Sequence, residues 1–176
     1  GAQDLKELNS YFQSVFGNAK IEDAKIPFTC LTTQFERQQL LILNKGSYAR
    51  AMSFCLSYPP LFKSFERHRA DASNLDVLVK NLRQKGANEI IYVDVLGDRG
   101  RVLPAKSAEE DVLIWNLTQA HLAAQLAQHT GLVNEVVRIP ISEDITAFAR
   151  RRDMIRKGQE TAKRLLPVLL KKYGLD

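Results

Sequence analysis

The stretch Leu75–Leu96, LDVLVKNLRQKGANEIIYVDVL, decides the fold class. Leu75, Leu78, Val79 and Leu82 recur at three- and four-residue spacing, so they share one face of a helix that runs to Lys85 and stops at Gly86. EIIYVDVL, Glu89–Leu96, follows as an almost unbroken apolar run. Such a run is typical of a strand covered on both faces, which makes it a central strand of a parallel sheet. Helix, glycine and buried strand in that order form the second half of a βαβ unit.

On either side the elements alternate in the same way. Asp4–Phe16 places Leu5, Leu8, Tyr11, Phe12 and Val15 at helical spacing, with Gly17 as the stop. PFTCLTTQ (27–34) and QLLILN (39–44) are rich in strand formers, and the short FERQ connection lets them pair as a hairpin. Ser47 is a good N-cap for a helix that must end by Tyr58, because Pro59 and Pro60 disfavour its continuation. Glu109–His129 is a long helix ended by Gly131. NEVVRIPI (134–141) is a strand whose Pro140 puts its end near a sheet edge. From Ile145 onward Phe148, Met154, Ile155, Ala162, Leu165, Leu166, Leu169 and Leu170 make a helical stripe, with Pro167 as the place for a kink. The expectation is one α/β domain over residues 1–176, a mainly parallel sheet flanked by helices.

Composition narrows the class. With 176 residues, 45% hydrophobic and 26% charged, the chain is long and apolar enough for a core and too apolar for disorder. Its apolar runs fall far short of the ~20 residues a membrane span requires. The first residues, GAQDLKELNSYF, lack the basic and apolar regions of a signal peptide. Cys30 and Cys55 stand in apolar contexts at no metal-like spacing, which reads as two buried free thiols in a reducing, cytoplasmic compartment. His68, His121 and His129 are too dispersed to suggest a metal site, and no cofactor is expected. Trp115 reads as packing. The net charge is +5, and Arg150, Arg151, Arg152, Arg156, Lys157, Lys163, Arg164, Lys171 and Lys172 crowd the last segment. That cluster is either the solvated face of an amphipathic helix or a contact for anionic lipid or nucleic acid. No aromatic residues interleave with it and no specific nucleic-acid motif is present.

Four segments carry a resemblance: IEDAKIPFTCLTTQ (21–34), AMSFCLSYPPLF (51–62), NLRQKGANEIIYVDV (81–95) and FARRRDMIRKGQETAKRLLPVLLKKYG (148–174). In this order they resemble the C-terminal portion of a bacterial patatin-like phospholipase, that is, of a patatin-like acyl hydrolase domain. The resemblance implies hydrolysis of lipid acyl esters by a serine–aspartate dyad without a cofactor. In that family a serine within G-x-S-x-G attacks the ester, a Gly-rich loop supplies oxyanion donors, and an acid follows the Pro-x-Leu-Phe element. Asp71 is the residue that falls at the acid's place. It is followed by Ala72-Ser73 where the family has glycine and a small residue, and the loop from Phe62 is short. The alternative for Asp71 is a loop acid or the N-cap of the next helix. Pro59, Leu61 and Phe62 would line the acyl-binding side, or equally belong to the core. Asp76 is a second-choice acid, and Asp94 matches a structural acid at a strand end.

The nucleophile has no counterpart. None of Ser10, Ser14, Ser47, Ser53, Ser57, Ser64, Ser73, Ser107 or Ser142 lies in G-x-S-x-G, and GDRG at 97–100 is a surface turn or at most a weak phosphate loop. The chain is therefore expected to lack the nucleophile-bearing N-terminal half and to be inactive alone. Two origins fit. A piece of a longer hydrolase would expose a large apolar face, to be covered by the missing half or by self-association. A naturally short, degenerate relative would close its core and act as a binding module for anionic lipid or nucleic acid through its basic last helix.

Overall fold

The described residues of the computed structural model are 4–58, 61–71, 73–96, 109–128, 131–142 and 148–175. They form a mixed α/β arrangement with one antiparallel and one parallel sheet. Pro59, Pro60, Ala72, the GDRG residues 97–100, Ser107, His129 and Ile145 lie outside the described residues.

Helix α1 (Lys6–Phe16) packs on helix α2 (Tyr48–Leu56). The contact is close because α2 offers small residues there. Ala49 and Ser53 are buried, and the Ser53 hydroxyl donates to Asn9 Oδ1 at 2.9 Å. Ser47 caps α2 as its residue type predicts, its hydroxyl accepting the Arg50 amide at 3.3 Å. Of the α1 stripe, Leu5 and Phe12 turn inward, while Tyr11 and Val15 stay exposed.

Strands β1 (Cys30–Gln34) and β2 (Gln39–Leu43) form the expected hairpin, from Cys30 opposite Leu43 to Gln34 opposite Gln39. Gln38 closes the turn in the left-handed region at φ 51°. Strand β3 (His68–Ala70) adds antiparallel to the other edge of β1, giving the order β2-β1-β3. Helix α3 (Leu75–Gln84) then leads into β4 (Ile91–Asp94), as read from the sequence. Helix α4 (Glu109–Gln128) carries the chain to β5 (Glu135–Arg138), which lies parallel to β4 with Ile91 opposite Glu135 and Asp94 opposite Arg138. Leu75, Val79, Ile90 and Leu122 make the core of this half, with Leu82, Tyr92, Leu126 and Val133 packed around it. Helix α5 (Arg151–Tyr173) is the last element and continues through Pro167.

The sheet differs from the mainly parallel one expected. The larger sheet is antiparallel, because a connection of four residues between β1 and β2 permits no crossover. The parallel pairing expected for EIIYVDVL is present but involves only β4 and β5 among the described residues. Nor do the described residues cover β4 on both faces. Tyr92 and Asp94 face the helices, whereas Ile91, Val93 and Val95 are 46%, 52% and 57% exposed. The cysteines also depart from expectation. Packing of α2 on β1 brings Cys30 and Cys55 to a Cα separation of 6.4 Å, and they are joined as a disulfide rather than standing as free thiols. No helix among the described residues is long and apolar enough to cross a membrane.

Candidate acid site at the end of strand β3

Strand β3 ends at Ala70, whose amide donates to the Ser57 carbonyl at 3.0 Å. The Asp71 amide donates to Leu31 O at 3.3 Å and so ties the next residue to β1. From there the chain must turn into α3, and the Asp71 carboxylate organises the turn. Oδ1 accepts from the Ser73 amide at 3.0 Å, the Ser73 hydroxyl at 3.2 Å and the Asn74 amide at 3.0 Å. Oδ2 accepts from the Thr33 hydroxyl at 2.8 Å and from Asn74 Nδ2 at 2.9 Å. This is an Asx-type turn in which a short carboxylate replaces backbone acceptors. The N-cap position itself belongs to Asn74, so Asp71 acts from just upstream of the helix.

Burial pushes the Asp71 carboxyl upward, but the hydrogen bonds from Thr33, Asn74 and Ser73 outweigh it and hold the group below its ordinary range. Asp71 is therefore ionised throughout the neutral range. It borders a cavity of about 120 Å³ with Leu31, Leu75, Leu78, Tyr92 and Leu122 as its apolar walls. A fixed carboxylate beside a half-open apolar pocket is an arrangement that suits a general base or an orienting acid.

Tyr58 belongs to the same neighbourhood. Its ring meets Trp115 edge-on at 4.9 Å, and its hydroxyl accepts from Gln119 Nε2 at 3.4 Å. Burial raises its pKa, hydrogen bonds from Thr118 and Gln119 oppose the rise, and the charges of Asp71 and Tyr92 add to it. The phenol thus stays protonated. Trp115 is buried in this packing, as expected.

Leu61 and Phe62 are half-buried, and their amides both donate to the Tyr58 carbonyl at 3.1 Å. They are positioned through Tyr58 and are not among the described side chains that wall the Asp71 cavity. Pro59, the third residue of that expected group, lies outside the described residues. Asp76 sits in the first turn of α3 and accepts from Gln125 Nε2 at 3.3 Å, away from the Asp71 carboxylate's partners. Asp94 is buried at the end of β4, accepts the Leu96 amide at 3.3 Å and faces Arg138 at 3.9 Å, in keeping with a structural acid.

Sequence reading singled out Asp71 but missed Thr33, Ser73 and Asn74 as its partners and Tyr58 and Tyr92 as its neighbours. The D-x-S-N run before Leu75 is the local signal for the turn. Thr33 is 38 residues away, and only the β1–β3 pairing brings it in.

One serine does meet Asp71. The Ser73 hydroxyl is a member of the turn, however, and the amides beside it are occupied. Those of Ser73 and Asn74 serve Asp71 itself, and that of Leu75 donates to Gln125 Oε1 at 3.1 Å. These three amides are thus engaged and do not form an oxyanion hole at Ser73. Among the described residues no group of three His, Cys, Asp or Glu side chains could hold a metal ion. No protein-family model matches the chain, and a search of curated proteins returns no significant match.

Proposed function

We propose that this chain is the acid-bearing portion of a patatin-like lipid acyl hydrolase. Asp71 is the acid of a serine–aspartate dyad whose serine is contributed by a segment the chain does not contain. The observation that carries the reading is the Asp71 carboxylate, fixed by five hydrogen bonds at the end of β3 and bordering an apolar cavity. In the complete dyad the serine hydroxyl donates to Oδ2 in place of Thr33 or Asn74. Its proton passes to the carboxylate as the oxygen attacks the ester carbonyl, and then to the departing alcohol. Water repeats the cycle on the acyl-enzyme. Because its hydrogen bonds make Asp71 a weak base, its larger contribution is to orient the serine hydroxyl for attack.

The open face of β4 supports the same reading. Ile91, Val93 and Val95 form an exposed apolar row, and among the described residues β4 pairs only with β5. A further segment of the parent enzyme would cover this row and extend the β4–β5 sheet. Alone, the chain covers the same row by self-association.

The direct test is burst kinetics with a p-nitrophenyl acyl ester. The isolated chain is expected to release no burst of p-nitrophenol. A burst from it that is lost in Ser73→Ala would assign the nucleophile to this chain and overturn the reading.

A further inference from the structure

Helix α5 is tied to the rest of the chain along its length. Lys157 Nζ donates to Ser142 Oγ at 3.1 Å, and near the C-terminal end Lys172 and Tyr173 both reach Glu135 of β5, the Tyr173 hydroxyl at 2.7 Å. Thr161 is its one fully buried residue. Leu165 and Leu169 turn partly inward, but the apolar arc of the helix is wider than the surface that covers it. Ile155, Ala162 and Leu166 lie at i, i+7 and i+11 on the solvent side, with Ile155 59% and Leu166 53% exposed. The adjoining row, Arg152, Arg156 and Lys163, is exposed and basic. Asp153 pairs with Arg150 and Arg156, and Glu160 is the other acid of the helix, against eight basic side chains.

We infer that this face of α5 docks in the plane of an anionic membrane surface. Ile155, Ala162 and Leu166 enter the acyl boundary, and Arg152, Arg156 and Lys163 meet the phosphates. A basic row beside an apolar row along one long helix is the pattern of interfacial helices. A nucleic acid would use the charges but leave Ile155 and Leu166 exposed to water. A second copy of the chain would set two basic rows against each other. The inference does not depend on the acyl-hydrolase reading, since it needs neither Asp71 nor a nucleophile.

The test is co-sedimentation of the chain with phosphatidylcholine vesicles made with and without phosphatidylglycerol. Binding is expected only when the anionic lipid is present, and it should weaken as salt rises. Reversing Arg152, Arg156 and Lys163 to Glu should lower the partition by more than about a hundredfold. The pair Ile155→Ser with Leu166→Ser should lower it about tenfold or more. Both sets lie on exposed positions, and an unchanged melting temperature confirms folding. Failure to bind anionic vesicles would overturn the inference, as would wild-type partition by the Ser pair. So would tighter binding to a DNA duplex that the Ser pair leaves intact, which would assign the basic row to nucleic acid.

Discussion

Replacing Asp71 by Asn tests the site through stability. The carboxylate accepts five hydrogen bonds, two of them from backbone amides and one from the Thr33 hydroxyl on another strand. Asn keeps one oxygen, which serves either the Ser73 and Asn74 amides or the Thr33 and Asn74 side chains. The new NH₂ group then faces donors on the other side. Hydrogen bonds to a charged group are worth about 1.5–3 kcal/mol and a donor left unpaired costs about 1–3 kcal/mol. Since the remaining oxygen retains part of the network, the net loss at neutral pH should be about 2–3 kcal/mol. With a urea slope of about 2 kcal/mol/M, the midpoint falls by about 1–1.5 M.

The pH dependence has a definite sign. Hydrogen bonding holds the folded-state pKa of Asp71 below its unfolded value of about 3.9. The stabilisation is therefore complete above that value and is lost as pH falls through the folded pKa. Urea titrations of both proteins monitored by Trp115 fluorescence should show a wide gap at pH 7 that closes in acid. A gap under about 0.5 kcal/mol at neutral pH, or one that does not change with pH, would refute the reasoning, because surface substitutions alone produce effects of that size.

Two further outcomes follow from the fold. Peptide mapping without reductant should recover Cys30 and Cys55 in one linked pair. Reduction should destabilise the chain by about 3.5 kcal/mol, the chain-entropy value for a sequence separation of 25; two freely alkylated thiols would contradict the linkage. The exposed row on β4 should drive association of the isolated chain. Light scattering should show Val93→Lys shifting the protein toward monomer with little change in melting temperature, whereas a monomeric wild-type chain would show that the row does not associate.

What could be read from the sequence depended on how local its cause was. The α3–β4 run was legible because Leu75, Val79 and Ile90 carry both the periodicity and the core. The β1–β2 hairpin followed from a short connection. Strand β3 was not legible: His-Arg-Ala has no alternating apolar pattern, and its strand character comes from pairing with Thr32–Gln34. The apolar run at β4 suggested cover on both sides, but a run records what a strand is suited to, and the described residues supply one layer only. The same limit applied to Cys30 and Cys55, whose proximity is set by how α2 lies on β1. At the site, Asp71 stood out by its place after Phe62. Part of what lowers its pKa is the Thr33 hydroxyl, whose contribution no local pattern could show.

The most direct measurement takes the product of the whole reading frame that encodes this chain and labels it with a fluorophosphonate. The dyad account predicts one labelled serine, within a G-x-S-x-G outside Gly1–Asp176, at a rate that Asp71→Asn lowers about a hundredfold or more. Labelling that is unaffected by Asp71→Asn, or that falls on Ser73, would contradict it.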